Sequence, residues 1–295
     1  MTLRDWLGAT RPKTLSAGVA PVILGSGLGA LALGEDGGLH WGVAAACLVG
    51  ALLIQIGSNF ANDAFDGLRG SDGPDRLGPQ RAVASGRISP RAMLIATALV
   101  LLLALIPGLW LASIAGWPLL ALGLVSLVCA VAYTGGPFPL AYHGLGDLFV
   151  LLFFGLFAAL GSAWVQAPEL ASWPPEWWAF AIGLGLQATV IIAVNNQRDR
   201  SQDALNQKRT LAVRLGAHAH RWYISLLHLG AIAAFAAGLR LAEAAWWPLL
   251  IIAPIAIAHA LWLWRRDGKA LNPALGAAAG LELLSALLIL VSLHA

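Results

Sequence analysis

The sequence predicts an all-α, polytopic membrane protein in which nine transmembrane helices form one bundle, a single domain spanning residues 1–295. Three observations support this fold class. First, 59% of the residues are hydrophobic and only 11% are charged, whereas soluble globular domains carry about 25% charged residues. Second, the chain contains a series of apolar runs of membrane-spanning length. Third, its lysines and arginines gather in alternate loops. This composition excludes an ordinary soluble enzyme.

The apolar runs predict the individual helices. Each run is close to the ~20 residues that a helix needs to cross the hydrocarbon core. Within lipid only helices and closed barrels satisfy the backbone, and the runs lack the alternation of barrel strands. In chain order the runs are Leu15–Leu33, His40–Ser58, Ala92–Ile114, Trp117–Tyr133, Leu145–Val165, Trp177–Val194, Trp222–Leu241, Trp246–Trp264 and Pro273–Leu293.

The basic residues predict how the bundle lies in the membrane. With a cytoplasmic N-terminus, the N-terminal tail and the loops after spans two, four, six and eight face the cytoplasm. All but one of the 18 lysines and arginines lie in these segments, and Arg240 is the exception. Cytoplasmic loops are enriched in Lys and Arg. We therefore expect a multi-pass protein of the cell (inner) membrane, with its N-terminus in the cytoplasm.

Two aspartate-rich stretches follow directly on spans two and six, both on the cytoplasmic side. The first contains Asn59, Asp63 and Asp66, and the second contains Asn195, Asp199 and Asp203. If both helices continue past their spans, each set lies on one helical face. Ionisable groups at a membrane boundary are costly and indicate a functional site. The alternative, that each acid is a solvated loop residue, does not account for the same spacing occurring twice.

The chemistry of these stretches favours a metal-bound diphosphate. Grouped carboxylates repel one another unless a cation neutralises them. Mg²⁺ is held by a few carboxylates together with phosphate oxygens and water. Several arginines and lysines follow each stretch, and such side chains bind phosphate oxygens. A ligand with a diphosphate head and a tail in the bilayer is a polyprenyl diphosphate, whose allylic C–O bond ionises when the departing diphosphate is stabilised.

Two other classes of protein remain as alternatives. A CDP-alcohol phosphotransferase is also a magnesium-dependent, aspartate-rich membrane enzyme, but its acids form one contiguous motif. An ion-coupled transporter would place ionisable groups near the midplane and show repeated halves. Here the acids divide between two distant loops at one interface. Glu282, in the middle of span nine, is the one costly acid to which the sequence assigns no partner.

Several motifs occur in the order found in a known family. They are Arg11–Leu15, Ser58–Asp66, Gly70–Pro79, Tyr133–Pro137, Gly144–Asp147, Asn195–Asp203 and Thr210–Gly216. On these residues the chain resembles the UbiA-type intramembrane prenyltransferases, and within them the 1,4-dihydroxy-2-naphthoate polyprenyltransferases of menaquinone synthesis. Gln207 departs from the pattern, since relatives tend to have glycine there.

The resemblance implies a central cavity capped by the cytoplasmic aspartate-rich loops. It also implies that a prenyl group from polyprenyl diphosphate is transferred to 1,4-dihydroxy-2-naphthoate, with loss of CO₂, to give demethylmenaquinone; another aromatic acceptor is the alternative. Mg²⁺ would be bound by Asp63, Asp66, Asp72, Asp199 and Asp203, with Asn59 and Asn195 completing the catalytic set. Diphosphate would be bound by Lys13, Arg76, Arg81, Lys208 and Arg214.

Four more residues are candidates for binding the acceptor: Asn62, Tyr133, Asp147 and Arg198. Two of them have an ordinary structural explanation as well. Tyr133 ends span four, where interfacial tyrosines are common. Asp147 begins span five, where an acid at a helix N-terminus is favourable on electrostatic grounds alone.

Overall fold

The computed structural model describes residues 2–34, 38–73 and 76–294, apart from the side chain of Lys13. The regular elements of these residues are helical throughout. The α-helices are α1 (Leu3–Ala9), α2 (Pro12–Ala32), α3 (Trp41–Leu68), α4 (Pro90–Ala115), α5 (Trp117–Ala132), α6 (Gly146–Val150), α7 (Ala158–Gln166), α8 (Pro175–Leu205), α9 (Leu211–Leu241), α10 (Trp247–Leu263) and α11 (Asn272–His294). A π-helix, Leu151–Phe157, joins α6 to α7, and short 3₁₀ turns span Leu140–His143 and Gly268–Leu271.

Seven helical segments among the described residues are long and apolar enough to cross a membrane. They are Thr14–Ala32, Trp41–Leu68, Pro90–Ala115, Gly146–Gln166, Pro175–Leu205, Leu211–Leu241 and Gly268–His294. Helices α5 and α10 are apolar but shorter, and they coincide with the predicted spans four and eight. The prediction of an all-helical membrane protein is confirmed, and the count of nine spans stays a prediction.

Helices α3 and α8 extend well beyond the apolar runs that predicted them, so both aspartate-rich stretches are helical. Helix α3 continues to Leu68 and α8 continues to Leu205. The chain then turns through left-handed residues, Gly70 with φ +69° and Gln207 with φ +58°. A left-handed conformation costs a non-glycine residue about 1–2 kcal/mol. The family resemblance expects glycine at position 207, and glycine would adopt this left-handed conformation without that cost.

Helix α8 lies at the centre of the bundle, in contact with α9, α11 and the π-helix. Helix α2 packs beside it against α7 at very short range. Gly25 and Gly29 of α2 lie against the backbone carbonyls of Ala159 and Ala163, where a side chain would clash. Such a G-x-x-x-G spacing lets membrane helices approach closely. Helix α2 also contacts α3 and α8, the two helices that carry the aspartate-rich stretches.

Candidate active site

A polar pocket of about 60 Å³ lies where the ends of α3 and α8 meet the adjoining loops. Its acidic and amide side chains are Asn62, Asp66, Asp72, Asp147, Asn195, Asn196, Asp199, Gln202 and Asp203, and its basic side chains are Arg11, Arg76, Arg81 and Lys208. The two aspartate-rich stretches, more than 120 residues apart in sequence, thus contribute to one pocket. Most of the residues predicted to form the site are brought together here.

The face of α3 that reaches the pocket differs from the predicted one. Asn62 and Asp66, four residues apart, line the pocket, whereas Asn59 and Asp63 do not. The Asn59 side-chain amide donates to the carbonyl of Thr10 at 2.9 Å. The Asn59 side chain thus contacts the N-terminal segment, and its membership of the catalytic set stays a prediction. The pocket-facing side is rotated from the predicted face but shares Asp66 with it.

Asp63 is engaged by the loop that follows α3. Its two carboxylate oxygens accept the backbone N–H groups of Ala82 at 3.1 Å and Val83 at 3.0 Å. The residue is 1% exposed. The structure therefore does not place Asp63 among the predicted magnesium ligands, since both of its oxygens face the protein backbone.

Asp66 faces the pocket and is held by a tyrosine that sequence reasoning missed. The Tyr142 hydroxyl donates to Asp66 Oδ1 at 2.8 Å and lies 2.8 Å from the hydroxyl of Ser71. The cations of Arg69 and Lys208 lie 5.0 and 5.5 Å from the centre of the Tyr142 ring. Tyr142 is in the loop after α5, and no spacing in the sequence relates that loop to the end of α3.

Arg76 links the two aspartate-rich stretches. It pairs with Asp72, and its other guanidinium nitrogen lies 4.0 Å from Asp199 Oδ2. Arg81 Nε lies 3.5 Å from Asp72 Oδ2. Burial, followed by repulsion from Arg81, lowers the pKa of Arg76 to about 10. Burial likewise lowers the pKa of Arg81, so the pocket holds closely spaced cations with little water around them.

The second stretch presents one face to the pocket, as its spacing predicts. Asn195, Asp199 and Asp203 all line it. Arg198 lies behind Asp199 and donates to both of its carboxylate oxygens, at 2.8 and 2.6 Å. It also donates to Asn195 Oδ1 at 2.8 Å and to Asn272 Oδ1 at 2.9 Å. Arg198 was predicted to bind the acceptor, but the structure directs its guanidinium to Asp199, which it positions.

Lys208 closes the pocket next to Asp203. Its ammonium lies 3.9 Å from Asp203 Oδ1, while Asp203 Oδ2 is buried and has no hydrogen-bond partner among the described residues. Burial lowers the pKa of Lys208, but the nearby carboxylates of Asp66 and Asp203 outweigh it, and the net effect is a raised pKa. Lys208 is therefore charged, and one oxygen of Asp203 is available to a ligand.

The other predicted basic residues have different positions. Arg214 is exposed and donates to the carbonyls of Arg209 at 3.0 Å and His143 at 2.9 Å. It ties two loops together outside the pocket, contrary to its predicted contact with diphosphate. The Lys13 side chain lies outside the described residues. Arg11, which was not selected from the sequence, lines the pocket and donates to the Asn59 carbonyl at 3.3 Å.

Three of the candidate acceptor-binding residues border the same pocket. Asn62 Oδ1 accepts the Thr134 hydroxyl at 2.8 Å. Asp147 Oδ1 accepts the Tyr223 hydroxyl at 3.3 Å. Tyr133 and Asp147 both line the pocket, so it carries hydrogen-bonding groups besides the aspartates and cations of the two stretches.

An apolar cavity of about 200 Å³ lies further along α3, within the bundle. Helices α2, α4, α5 and α7 and the π-helix complete its walls, which include Gly50, Gly108, Gly123, Phe153 and Phe157. The rings of Phe153 and Phe157 pack edge to face at 5.1 Å. π-helical segments occur frequently at functional sites. The polar pocket therefore lies at the end of a helix whose preceding turns line an apolar cavity.

The pocket suits a magnesium ion that is bound jointly with phosphate. Among the described residues no three carboxylate, histidine or cysteine side chains are gathered into a ready metal cage. Mg²⁺ in phosphate-binding sites typically takes one or two carboxylates and completes its shell with phosphate oxygens and water. Five aspartates line the pocket, and Asp203 Oδ2 is buried without a hydrogen-bond partner among the described residues. These donors fit that mode of binding.

Comparison with known proteins identifies similar chains. Residues 20–290 match the UbiA prenyltransferase family. The chain is 37% identical over 279 residues to the 1,4-dihydroxy-2-naphthoate octaprenyltransferase of Escherichia coli, covering 92% of this chain and 88% of that protein. It is 38% identical over 237 residues to the protein of the same name from Mycobacterium tuberculosis, covering 78% of this chain and 77% of that one.

Solved structures share the fold. A UbiA homolog from Archaeoglobus fulgidus bound to GPP and Mg²⁺ matches with a TM-score of 0.65 and 19% identity, over 97% of this chain and 96% of that chain. The apo structure of a UbiA homolog from Aeropyrum pernix K1 matches with a TM-score of 0.69 and 18% identity, over 95% of this chain and 97% of that chain. The likeness extends over nearly the whole bundle.

Proposed function

The chain belongs to the UbiA prenyltransferase family, and we propose that it transfers a polyprenyl group from polyprenyl diphosphate to 1,4-dihydroxy-2-naphthoate. Diphosphate and CO₂ leave, and the product is the hydroquinone form of demethylmenaquinone. One observation carries the proposal: two aspartate-rich helix ends share a pocket with four cations, and α3 also lines an apolar cavity. The names of the similar proteins support the naphthoate acceptor.

The pocket's charges suit a magnesium diphosphate. Its aspartates are Asp66, Asp72, Asp147, Asp199 and Asp203, and its cations are Arg11, Arg76, Arg81 and Lys208. With no ligand bound, most of these aspartates pair with a cation of the same pocket. With the carboxylates bound to Mg²⁺, the guanidinium groups would be free to bind phosphate oxygens through paired N–H donors.

Each group then has a defined part in breaking the allylic C–O bond. Asp66, Asp72, Asp199 and Asp203 would hold Mg²⁺, with Asn62 and Asn195 beside them. The metal would supply charge stabilisation for the leaving diphosphate. Arg76, Arg81 and Lys208 add fixed positive charge where negative charge develops as the bond electrons move to the diphosphate oxygen. Their partial burial strengthens this effect, because little water screens them.

The apolar cavity would hold the prenyl chain and shelter the allylic cation from water. Carbon–carbon bond formation follows when the electron-rich naphthoate ring attacks this cation. Tyr133 and Asp147, which both line the pocket, would orient the ring through its hydroxyl groups. As the ring–carboxylate bond breaks, its electron pair returns to the ring and CO₂ leaves.

The proposed topology places this chemistry at the cytoplasmic face of the inner membrane. Helices α5 and α10, with 16 and 17 residues, would complete a nine-span bundle. The aspartate-rich helix ends and the adjoining loops would cap its cavity. The one-sided distribution of lysine and arginine supports this orientation.

Membranes containing the protein test the proposal directly. We expect that 1,4-dihydroxy-2-naphthoate and octaprenyl diphosphate give demethylmenaquinone, identified by mass spectrometry, with Mg²⁺ but not with excess EDTA. Membranes carrying Asp199→Asn are the matched control. Absence of any prenylated product with donors of several chain lengths would contradict the reaction class. Prenylation of 4-hydroxybenzoate in place of the naphthoate would contradict the acceptor.

A further inference from the structure

We infer that Asp63 is a positioning residue that holds Arg81 in the pocket, and that it is not a ligand of the metal. The inference rests on the proposed function in one respect, namely that Arg81 binds the diphosphate. It concerns the segment 80–88, called here the arginine loop, which connects the first aspartate-rich stretch to α4. Asp63 and the arginine loop meet on a face of α3 adjacent to the one that lines the pocket.

Both oxygens of Asp63 are already used by the arginine loop. One accepts the N–H of Ala82 at 3.1 Å and the other accepts the N–H of Val83 at 3.0 Å. The carboxylate is buried, at 1% exposure, and does not line the pocket. If the side chain turned towards the pocket to bind the metal, it would leave two buried backbone donors without partners, which is unfavourable.

Packing fixes the arginine loop at the same place. Ala82, Val83 and Ile88 are buried against Phe60 and Ala64 of α3. Beside them, a β-carbon on Gly67 would come within 2.6 Å of Val83 Cγ1. The loop thus packs directly against the α3 backbone, and this contact requires a residue without a side chain at position 67.

Arg81 immediately precedes the two residues that Asp63 binds. Its carbonyl oxygen accepts the Ser85 hydroxyl at 2.7 Å and the Ser85 N–H at 3.1 Å. Its backbone is therefore held by Ser85 on one side and by the Asp63 contact on the other. The guanidinium lines the pocket, 3.5 Å from Asp72. Fixing the backbone in this way aims a long, flexible side chain at the diphosphate position, which reduces the entropy lost on binding.

The first test compares Asp63→Asn with Asp66→Asn in the full-length, detergent-solubilised protein, using two measurements that need no turnover. Hydrogen exchange reports on the arginine loop, and Mn²⁺ titration followed by EPR reports on the metal site. Asp63→Asn should accelerate exchange in 80–88 roughly 10–100-fold, as expected for a lost charged hydrogen bond, with Mn²⁺ affinity within about twofold of the wild type. Asp66→Asn should leave that exchange unchanged and weaken Mn²⁺ binding about tenfold or more.

Loss of Mn²⁺ affinity in Asp63→Asn, equal to that in Asp66→Asn, would overturn the inference. Unchanged hydrogen exchange of residues 80–88 in Asp63→Asn would also overturn the inference. Since neither readout depends on product formation, failure of the proposed reaction and failure of this inference are separate results. If Asp63→Asn does not fold, Gly67→Ala tests the same contact without changing any charge.

Gly67→Ala should displace the arginine loop through Val83, and its matched control is Gly280→Ala, a helical glycine with open space around it. We expect Gly67→Ala to raise the KM for the prenyl diphosphate about tenfold, with Mn²⁺ affinity unchanged. In an Arg81→Ala background the same substitution should have no further effect on KM, because the loop acts through Arg81. Equal effects of Gly67→Ala in both backgrounds would contradict a positioning role.

Discussion

The buried pair of Arg198 and Asp199 allows a quantitative test of how the second aspartate-rich stretch is built. Arg198 is 4% exposed, and its guanidinium donates to Asp199, Asn195 and Asn272. Arg198→Ala removes all of these contacts at once and leaves the Asp199 carboxylate buried without its main partner. Breaking a buried ion pair in this way costs about 3–5 kcal/mol.

The expected result is a fall in the thermal unfolding midpoint on the order of 10 °C, at the roughly 2–4 °C per kcal/mol typical of larger domains. The assay is a melting curve of the detergent-solubilised protein, followed by tryptophan fluorescence. Arg91→Ala, at an exposed arginine at the start of α4, is the matched control and should change the midpoint by less than about 2 °C. A similarly small change for Arg198→Ala would refute the assignment of Arg198 as the support of Asp199.

A double variant separates stability from chemistry at this pair. Replacing a buried ion pair by apolar residues of similar size is often neutral for stability. Arg198→Met with Asp199→Leu should therefore recover much of the lost midpoint. Turnover should remain absent, because Asp199 is proposed to hold the metal. Recovery of activity together with stability would show that Asp199 is not needed for the reaction.

Three further substitutions probe the pocket and the cavity. Tyr142→Phe removes the hydroxyl that donates to Asp66 at 2.8 Å. Because this hydroxyl competes with Mg²⁺ for the Asp66 carboxylate, half-maximal activity should need less Mg²⁺ in the variant. An increased Mg²⁺ requirement would contradict this. Lys208→Met removes the cation beside Asp203 and should raise the KM for the prenyl diphosphate about tenfold, the equivalent of one charged hydrogen bond; an unchanged KM would exclude Lys208 from the diphosphate site. Gly123→Phe fills open space in the apolar cavity and should shift the preferred donor to a shorter chain, as measured by competition between donors of two lengths; an unchanged preference would place the chain elsewhere.

Much of the fold followed from the sequence because lipid restricts the options so strongly. Long apolar runs without the alternation of barrel strands can only be helices in this setting. The sequence left open whether the aspartate-rich stretches continue these helices or form loops, and α3 and α8 do continue through them. Helices α5 and α10 are harder to assign, because at 16 and 17 residues they are shorter than a typical span.

The site itself was only partly predictable, because helical periodicity defines a face but not which way that face turns. On α8 the predicted face, with Asp199 and Asp203, meets the pocket. On α3 the pocket meets Asn62 and Asp66, while Asp63 turns to a loop about 20 residues later in the chain. That loop's use of Asp63 depends on tertiary packing, which no local spacing encodes.

Side-chain contacts between loops that are distant in the chain could not be predicted from the sequence either. Tyr142 reaches Asp66 only because the loop after α5 folds over the end of α3. Arg214 looked like a diphosphate ligand because it follows an aspartate-rich stretch, yet its side chain donates to carbonyls of neighbouring loops. Whether a cation near a site faces its ligand depends on which backbone acceptors compete for it, and these are known only from the folded chain.

The central claim is that one magnesium diphosphate is held jointly by the two aspartate-rich helix ends. Anomalous diffraction from crystals grown with Mn²⁺ and a prenyl diphosphate tests it most directly, because the metal position is located independently of the protein. We predict metal between α3 and α8, with carboxylate ligands from both Asp66 or Asp72 and Asp199 or Asp203. Metal bound by one helix end alone, or at Asp63, would contradict the account.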